Sequence, residues 1–189
     1  MQKPFHQDFA LTQGFGENPA NYAQFGLKGH NGLDYGLPTG TDVIAPHAGK
    51  IIEVAYDAGG YGNYIKIEND KEGSVLAHLK ESLVSIGTVV TEGQLIAHSD
   101  NTGNSTGPHL HWGYYLFPRD RQNGYNGFIN QLPLLPISTS NLQTELDKVR
   151  LDRDKNWNLY QEELEKNKIL TSDNLKLKEK IEKAKQDLG

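Results

Sequence analysis

Short runs of β-branched and aromatic residues recur through the first 136 residues, separated by turns rich in glycine, asparagine and proline. The runs are DVIAP, GKIIEVAYD, NYIKIEND, SVLAHL, TVVTEGQLIAHS and LHWGYYLF. Strand-length segments at this spacing, with no long helical period between them, are typical of an antiparallel sandwich or a barrel-like sheet. The segment GTVV followed by EGQLIA predicts a tight hairpin. The first part of the chain is therefore expected to be mainly β.

The composition changes sharply near Leu132–Pro136. All eight prolines and nineteen of the twenty glycines lie at or before position 136. From Ser138 onward the chain carries eleven Lys or Arg residues, eleven Asp or Glu residues and no proline. This change predicts a turn-rich β domain over residues 1–137 and a charged helical region over residues 138–189.

The charged region carries a heptad pattern. Alternating steps of four and three residues from Leu142 define a series of heptad positions. These positions are apolar at both ends of the region and polar in its middle. This pattern favours an intermittent coiled coil, and with it a homo-oligomer formed through residues 138–189, of undetermined size. Two alternatives stay open: TSDN at 171–174 caps a second helix, or a solvated helix folds back on the β domain.

Composition and charge exclude several classes of function. The net charge of −5 offers no basic footprint for nucleic acid. The chain has no cysteine, so any metal must be held by histidines and carboxylates. The N-terminal segment lacks the apolar centre of a signal peptide, and no apolar run is long enough to cross a bilayer. We therefore expect no membrane span and no visible export signal.

The segment STGPHLHWG places two histidines on either side of one leucine. If the segment is a strand, His109 and His111 lie on one face, whereas Leu110 and Trp112 point into a core. Two imidazoles on one face can share a metal, or one can bind metal while its neighbour moves protons. The alternative is a pair of surface histidines on a half-exposed strand.

The segment GLKGHNGLDYG supplies further ligands in His30 and Asp34. Its glycines argue against a helix, so an extended or looped backbone at the mouth of a sheet is expected. A histidine, a carboxylate and a second histidine give zinc three ligands and an open position, as in catalytic zinc sites. Zinc lowers the pKa of its water to about 7, and the reaction then needs neighbouring proton carriers. His78, in SVLAHL, is a further histidine of this kind.

Six segments, in order, resemble the M23 (LytM-type, lysostaphin-like) family of zinc metallopeptidases. They are HNGLD, APHAGKI, GGYGNYIKI, LAHL, GTVVTEGQLIA and TGNSTGPHLHW, and they span roughly residues 10 to 118. The resemblance implies an antiparallel β cradle that cleaves peptides of bacterial peptidoglycan. It also implies one zinc ion per chain held by His30, Asp34 and His111, with His78 and His109 as catalytic histidines that do not bind metal.

The resemblance is incomplete at two positions beside the site. Leu76 stands where the family has tyrosine, and Gly113 stands where an acidic residue is common. All five site residues are kept, so these departures bear on specificity rather than on activity.

The remaining histidines and several aromatic residues receive no functional role from the sequence. His6, His47 and His98 are expected to be solvent-exposed. Three tyrosines, namely Tyr35, Tyr61 and Tyr64, are expected to pack against other residues rather than to line a peptide groove.

Three other functions compete with a peptidoglycan endopeptidase. One is a non-catalytic wall-binding or virion structural module that keeps the fold, and another is a structural protein built around its coil. A third is a biotinyl or lipoyl carrier, but the matching hairpin has no lysine at its turn. A wall hydrolase without a visible export signal fits a phage-encoded lysin, a virion-associated enzyme, or a secreted protein whose signal is absent from this chain.

Overall fold

The chain divides into two units, Met1–Pro136 and residues 137–189, in a computed structural model that describes residues 1–136 and 139–187. The first unit is an antiparallel β domain, and the described part of the second is one helix. The mainly β fold and the C-terminal helix predicted from the sequence are confirmed. The predicted boundary between residues 137 and 138 lies outside the described residues.

Nine strands form the sheet of the described first unit. They are β1 Leu11–Gln13, β2 Leu33–Tyr35, β3 Asp42–Ile44, β4 Gly49–Asp57, β5 Gly62–Glu68, β6 Glu72–Ser82, β7 Val89–Val90, β8 Leu95–Ser99 and β9 Leu110–Leu116. A short helix α1, Pro19–Tyr22, continues into a 3₁₀ turn at Ala23–Phe25, and a second 3₁₀ turn spans Leu132–Leu134. The second unit contributes helix α2, Thr139–Asp187.

The strands pair in the order β1-β2-β9-β6-β5-β4-β7, and β8 pairs with both β3 and β6. The predicted hairpin between GTVV and EGQLIA is wrong. A turn does form there, since the Gln94 amide donates to the Thr91 carbonyl at 3.1 Å, but β7 pairs with β4 and β8 pairs with β3. The two strands flanking this turn therefore belong to different parts of the sheet.

Strand β6 changes partner at His78. Up to Ala77 it pairs with β9, and from Leu79 it pairs with β8. The backbone of His78 takes a φ of 62°, a conformation that is uncommon outside glycine. This bend lets one strand continue from the β9 side of the sheet to β8.

The two faces of β9 have different surroundings. Leu110 and Trp112 are fully buried in the main core, as predicted from the alternation of side chains along a strand. The other face carries His111, Gly113 and Tyr115, and Tyr115 packs in a second, smaller core with Phe128. A Cβ atom on Gly113 would lie 2.6 Å from the Phe128 ring, so that ring occupies the space of the side chain that is common at this position.

The predicted exposure of His47 is wrong. Its side chain is 1% exposed, and its Nδ1 donates to the Ala48 carbonyl at 3.0 Å. Its Nε2 lies 3.0 Å from Ser74 Oγ, which also accepts a hydrogen bond from the Trp112 indole at 3.1 Å. His47 therefore completes a buried polar network, which its position after a proline does not reveal.

The other two histidines without a predicted role differ from each other. His6 is exposed, as predicted. His98 is half-buried between two carboxylates, with its Nε2 3.4 Å from Asp42 and its Nδ1 3.1 Å from Glu81. Its two partners lie on the strands next to β8, so His98 links three neighbouring strands.

Helix α2 is continuous over its 49 residues. The alternative of a cap at 171–174 is wrong, because Thr171 is helical and its hydroxyl donates to the Asn167 carbonyl at 2.7 Å. The heptad positions Leu142, Ala184 and Leu188 lie outside the residues whose side chains are described. Many apolar side chains of α2 are at least 37% exposed, namely Leu146, Val149, Leu151, Trp157, Leu159, Tyr160, Leu164, Ile169, Leu170, Leu175, Leu177 and Ile181. The coiled coil remains a prediction.

Over the described ranges, 1–136 and 139–187, no helix combines the length and the apolar character needed to span a bilayer.

Candidate metal centre and active site

A groove of about 1380 Å³ opens in the first unit, and all five residues singled out in the sequence line it. They come from four parts of the chain: the loop before β2, strand β2, the bend of β6 and the start of β9. The sheet thus brings together side chains that are up to 81 residues apart.

Three of these residues, His30, Asp34 and His111, form a compact buried cluster. Asp34 and His111 are directly opposite each other on β2 and β9, so their side chains share one face. The Asp34 Oδ1 atom lies 2.9 Å from His111 Nδ1 and 3.1 Å from His30 Nε2, and the two nitrogens are 2.9 Å apart. Within the described residues, this is the one group with metal-ligand geometry.

The chemistry of these atoms fits a divalent metal ion. His30 Nδ1 lies 3.1 Å from the Gly14 carbonyl oxygen, a contact in which the ring must donate. His30 Nε2 therefore faces the carboxylate of Asp34, and a cation between the two atoms, either a proton or a metal ion, stabilises their approach to about 3 Å. Imidazole and carboxylate are ligands that zinc accepts, and a backbone acceptor that orients the ligand ring is usual in such sites.

The pKa shifts within the cluster also favour the binding of a metal ion. Burial alone would raise the pKa of Asp34, but hydrogen bonds and positive charge from His111 and His30 outweigh it and hold that pKa well below its usual range. Burial also lowers the pKa of His111. Both shifts favour a carboxylate at Asp34 and a neutral imidazole at His111, the forms that bind metal.

Gly32 makes room for the ring of His111. A Cβ atom at position 32 would lie 2.6 Å from His111 Cε1 and 2.7 Å from the Trp112 carbonyl oxygen. Any larger residue would push the ring away from Asp34. The glycine in HNGLD is thus a spatial requirement of the cluster.

The other two histidines stand together beside the cluster. The rings of His78 and His109 are 4.5 Å apart between centroids, and His109 Nε2 is 3.7 Å from Asp34 Oδ2. In each ring Nδ1 lies 2.8 Å from a backbone carbonyl, that of Thr102 for His78 and that of Gly107 for His109. These contacts place the proton on Nδ1 and leave Nε2 free to accept a proton.

Burial, and after it the neighbouring His111, lower the pKa of His78 to about 4. The ring is therefore neutral at neutral pH and available as a base. Its backbone is held in place from both sides, because its amide donates to the Tyr61 carbonyl at 2.8 Å and its carbonyl accepts from the Asp100 amide at 3.0 Å.

Two tyrosines beside the site were missed by the sequence analysis. Tyr22, at the end of α1, lines the groove with its ring 5.3 Å from that of His30. Burial, and then the charge of Asp34, raise the pKa of Tyr22 to about 12, so its hydroxyl keeps its proton. Nothing in the local sequence distinguishes this tyrosine, since its position depends on how the loop before β2 folds.

The prediction for Tyr61 is half right, because this residue packs against the second core and also lines the groove. Its ring lies 5.4 Å from that of His111, and its hydroxyl accepts a hydrogen bond from the Asn31 amide at 3.1 Å. Tyr35 is buried in the main core, as predicted, and Tyr64 packs beside the second core. Exposure of one face to the groove separates Tyr61 from the other two.

Comparison with known proteins places these residues in a family. The family model described as "Peptidase family M23" matches residues 28–124. Among curated relatives, an "uncharacterized metalloprotease" of Haemophilus influenzae is 39% identical over 114 residues, which is 60% of this chain and 24% of the relative. The peptidoglycan DD-endopeptidase ShyB of Vibrio cholerae is 33% identical over 135 residues, which is 71% of this chain and 30% of the relative.

A solved structure gives the same result for the fold. The catalytic domain of the antimicrobial peptidase lysostaphin from Staphylococcus simulans is similar with a TM-score of 0.56 and 32% identity, over 67% of this chain and 91% of that domain. The chain spans about a quarter to a third of the length of the first two curated relatives that it matches. The matched segment covers just over half of the chain and contains all five residues of the site. The chain belongs to peptidase family M23.

Proposed function

We propose that this protein is a zinc-dependent endopeptidase that hydrolyses peptide cross-links or stem peptides of bacterial peptidoglycan. The observation that carries the proposal is the set of five groove-lining residues. Three of them converge within 2.9 to 3.1 Å, and the rings of the other two lie 4.5 Å apart beside that cluster. The names of the relatives, which include lysostaphin and peptidoglycan DD-endopeptidases, support the choice of substrate.

In this proposal His30, Asp34 and His111 hold the zinc ion. When bound, zinc activates a water molecule at neutral pH and polarises the peptide carbonyl. The chain's own contribution is to supply two imidazoles and one carboxylate, already oriented by the sheet register and by the Gly14 carbonyl.

His78 and His109 are the proton carriers in this proposal. Their Nε2 atoms accept the proton that the attacking water loses and deliver it to the nitrogen of the leaving amine. Each ring is kept in orientation by its Nδ1 hydrogen bond, so protonation at Nε2 requires no rotation of the ring. Tyr22, protonated and beside His30, is available to donate a hydrogen bond to the oxygen of the scissile carbonyl as its charge grows.

The test combines metal content with product analysis on the full chain. Elemental analysis should find about one zinc per chain, chelation should stop the digestion of purified peptidoglycan, and added zinc should restore it. Mass analysis of the fragments identifies the bond that is cut. Absence of zinc from zinc-supplemented protein, or intact peptidoglycan after exposure to the zinc-loaded protein, would reject the proposal.

We also propose that α2 associates with α2 of further copies, because many apolar side chains on the described part of this helix are exposed. Action at the bacterial cell wall follows from the proposed substrate. The protein would reach the wall as a phage-encoded lysin, as part of a virion, or by secretion, and the fragments released from intact cells or from isolated walls distinguish these routes.

A further inference from the structure

The loop that follows β9 forms one wall of the groove. Four of its residues line the groove, namely Arg121, Gln122, Gly124 and Asn126. Whatever peptide occupies the groove therefore contacts this loop as well as the metal ligands. The side chains that the loop presents are available to select the substrate.

The loop is held in one conformation by its own contacts. The Arg119 guanidinium lies 4.0 Å from the Tyr115 ring centroid and 4.6 Å from that of Phe128. It also donates to the Asn126 carbonyl from two nitrogens, at 3.1 Å and 2.8 Å. Because this arginine is already engaged on both sides, it anchors the loop and is not available to a ligand.

A second set of contacts closes the loop around Asn123. Its side-chain oxygen accepts from the Tyr125 amide at 2.8 Å and from the Gly127 amide at 3.0 Å, and its nitrogen donates to the Phe128 carbonyl at 2.8 Å. The Gly124 carbonyl accepts from the Lys28 amide at 2.9 Å, which ties the loop to the chain before His30. Because the loop is already fixed in this way, its remaining side chains can bind a ligand without a large loss of conformational entropy.

Arg121 takes no part in the contacts described above that hold this loop in place. It is exposed, and in the described part of the chain no carboxylate forms an ion pair with it. Among the described residues that line the groove it is the single Lys or Arg, whereas the same groove holds the carboxylates of Asp34 and Asp57. A guanidinium is charged at every accessible pH, and its fork of donors matches a carboxylate.

We propose that Arg121 binds a carboxylate of the substrate, so that the groove selects stem peptides with a free carboxylate over uncharged glycine bridges. This inference rests on the proposed function and names the substrate class of the same site. A glycine bridge offers amides alone between its ends, whereas acidic residues of a stem peptide offer a charged partner. The contact forms equally in the substrate complex and in the transition state, so its loss should raise KM and leave kcat unchanged.

The test uses a matched pair of stem peptides that differ in one group, a free carboxylate or its amide. Zinc-loaded full-length protein should show a KM about ten-fold lower for the acid than for the amide, with similar kcat. Arg121→Gln should raise KM for the acid about ten-fold and leave the amide unchanged. Arg121→Lys should keep part of the preference, because it keeps the charge and loses the fork.

Lys50→Gln is the matched control. Lys50 is exposed on β4, does not line the groove, and its substitution removes the same unit of charge. Equal KM values for acid and amide in the wild type, or equal losses in Arg121→Gln and Lys50→Gln, would overturn the assignment. Calorimetric binding of both peptides to the same proteins separates this inference from the proposed function. A preference for the acid that disappears in Arg121→Gln supports the carboxylate site even where no peptide is cleaved.

Discussion

The two tryptophans of this chain show how differently its two units are built. Trp112, in the β domain, is fully buried and its indole donates to Ser74 Oγ, 38 residues away. Trp157, in α2, is 61% exposed, and its recorded ring contact is with Tyr160, three residues away. Distant parts of the chain therefore stabilise one unit, whereas neighbours along the helix supply the contacts of the other.

The same contrast applies to acidic residues. Asp34 is buried and contacts His109 and His111 from a distant part of the chain as well as the nearby His30. Asp154, on α2, pairs at 2.7 Å with the adjacent and equally exposed Arg153. A buried charge depends on its partners, whereas an exposed pair contributes little to stability. Paired substitutions in the two units therefore test the comparison directly.

The largest difference is expected between Asp34→Asn and Asp154→Asn. Asp34→Asn removes a charged ligand, so zinc affinity should fall by more than the roughly 100-fold that loss of an outer contact causes, and cleavage should be lost. Asp154→Asn should leave both unchanged. Zinc content and peptidoglycan digestion are measured on the same preparations, and normal zinc content in Asp34→Asn would contradict the assigned ligand set.

The next difference separates the two kinds of histidine within the β domain. His78→Ala and His109→Ala should each reduce the cleavage rate roughly 10²- to 10⁴-fold, the range for removal of a positioned acid or base. Zinc content should remain close to that of the wild type, because neither residue is assigned to the metal. His98→Ala is the control, since His98 lies between Asp42 and Glu81 and does not line the groove. Wild-type rates in both variants would remove the proton-transfer step.

Replacement of each tryptophan by phenylalanine should separate the units by stability. Trp112→Phe removes the donor to Ser74 and leaves space in the main core, so the free energy of unfolding should fall by about 2 kcal/mol. Trp157→Phe should change it by less than about 0.5 kcal/mol. Denaturant unfolding monitored by circular dichroism gives both values. Equal losses would mean that Trp157 is covered by a partner in solution.

The smallest effect on the β domain is expected from removal of residues 138–189. The truncated protein should keep its zinc and its melting temperature, because the strands and both cores of the described residues lie before residue 137. Association should change instead, with the full chain larger than a monomer in sedimentation and the truncated chain monomeric. Two monomers in that experiment would reject the coiled coil.

The site was predictable from the sequence to a greater extent than the fold around it. His30, Asp34, His78, His109 and His111 carry their chemistry in their side chains, and the segments HNGLD, LAHL and HLH that contain them are recognisable in the sequence. The carbonyls of Gly14, Thr102 and Gly107, which orient three of these rings, are backbone atoms and leave no trace in composition.

Two of the wrong predictions share one physical cause. The pairing of β7 with β4 and the burial of His47 both depend on contacts between residues far apart in sequence, whereas the predictions were made from local pattern. Tyr22 and Tyr61 reach the groove for the same reason. The heptad pattern of α2 is local in sequence. The coiled-coil partner that it predicts is the α2 helix of another copy, which the structure of a single chain does not include.

The conformation of His78 has a consequence for how this protein can be stabilised. A side chain at a φ of 62° costs roughly 1 kcal/mol or more, a cost that glycine avoids. His78→Gly should therefore unfold at a higher denaturant concentration than His78→Ala, although both variants should lose most of the proposed activity. Selection for thermal stability alone would thus drive this position away from histidine. A directed-evolution experiment that screens only for folding should lose the histidine at this bend before it improves the core.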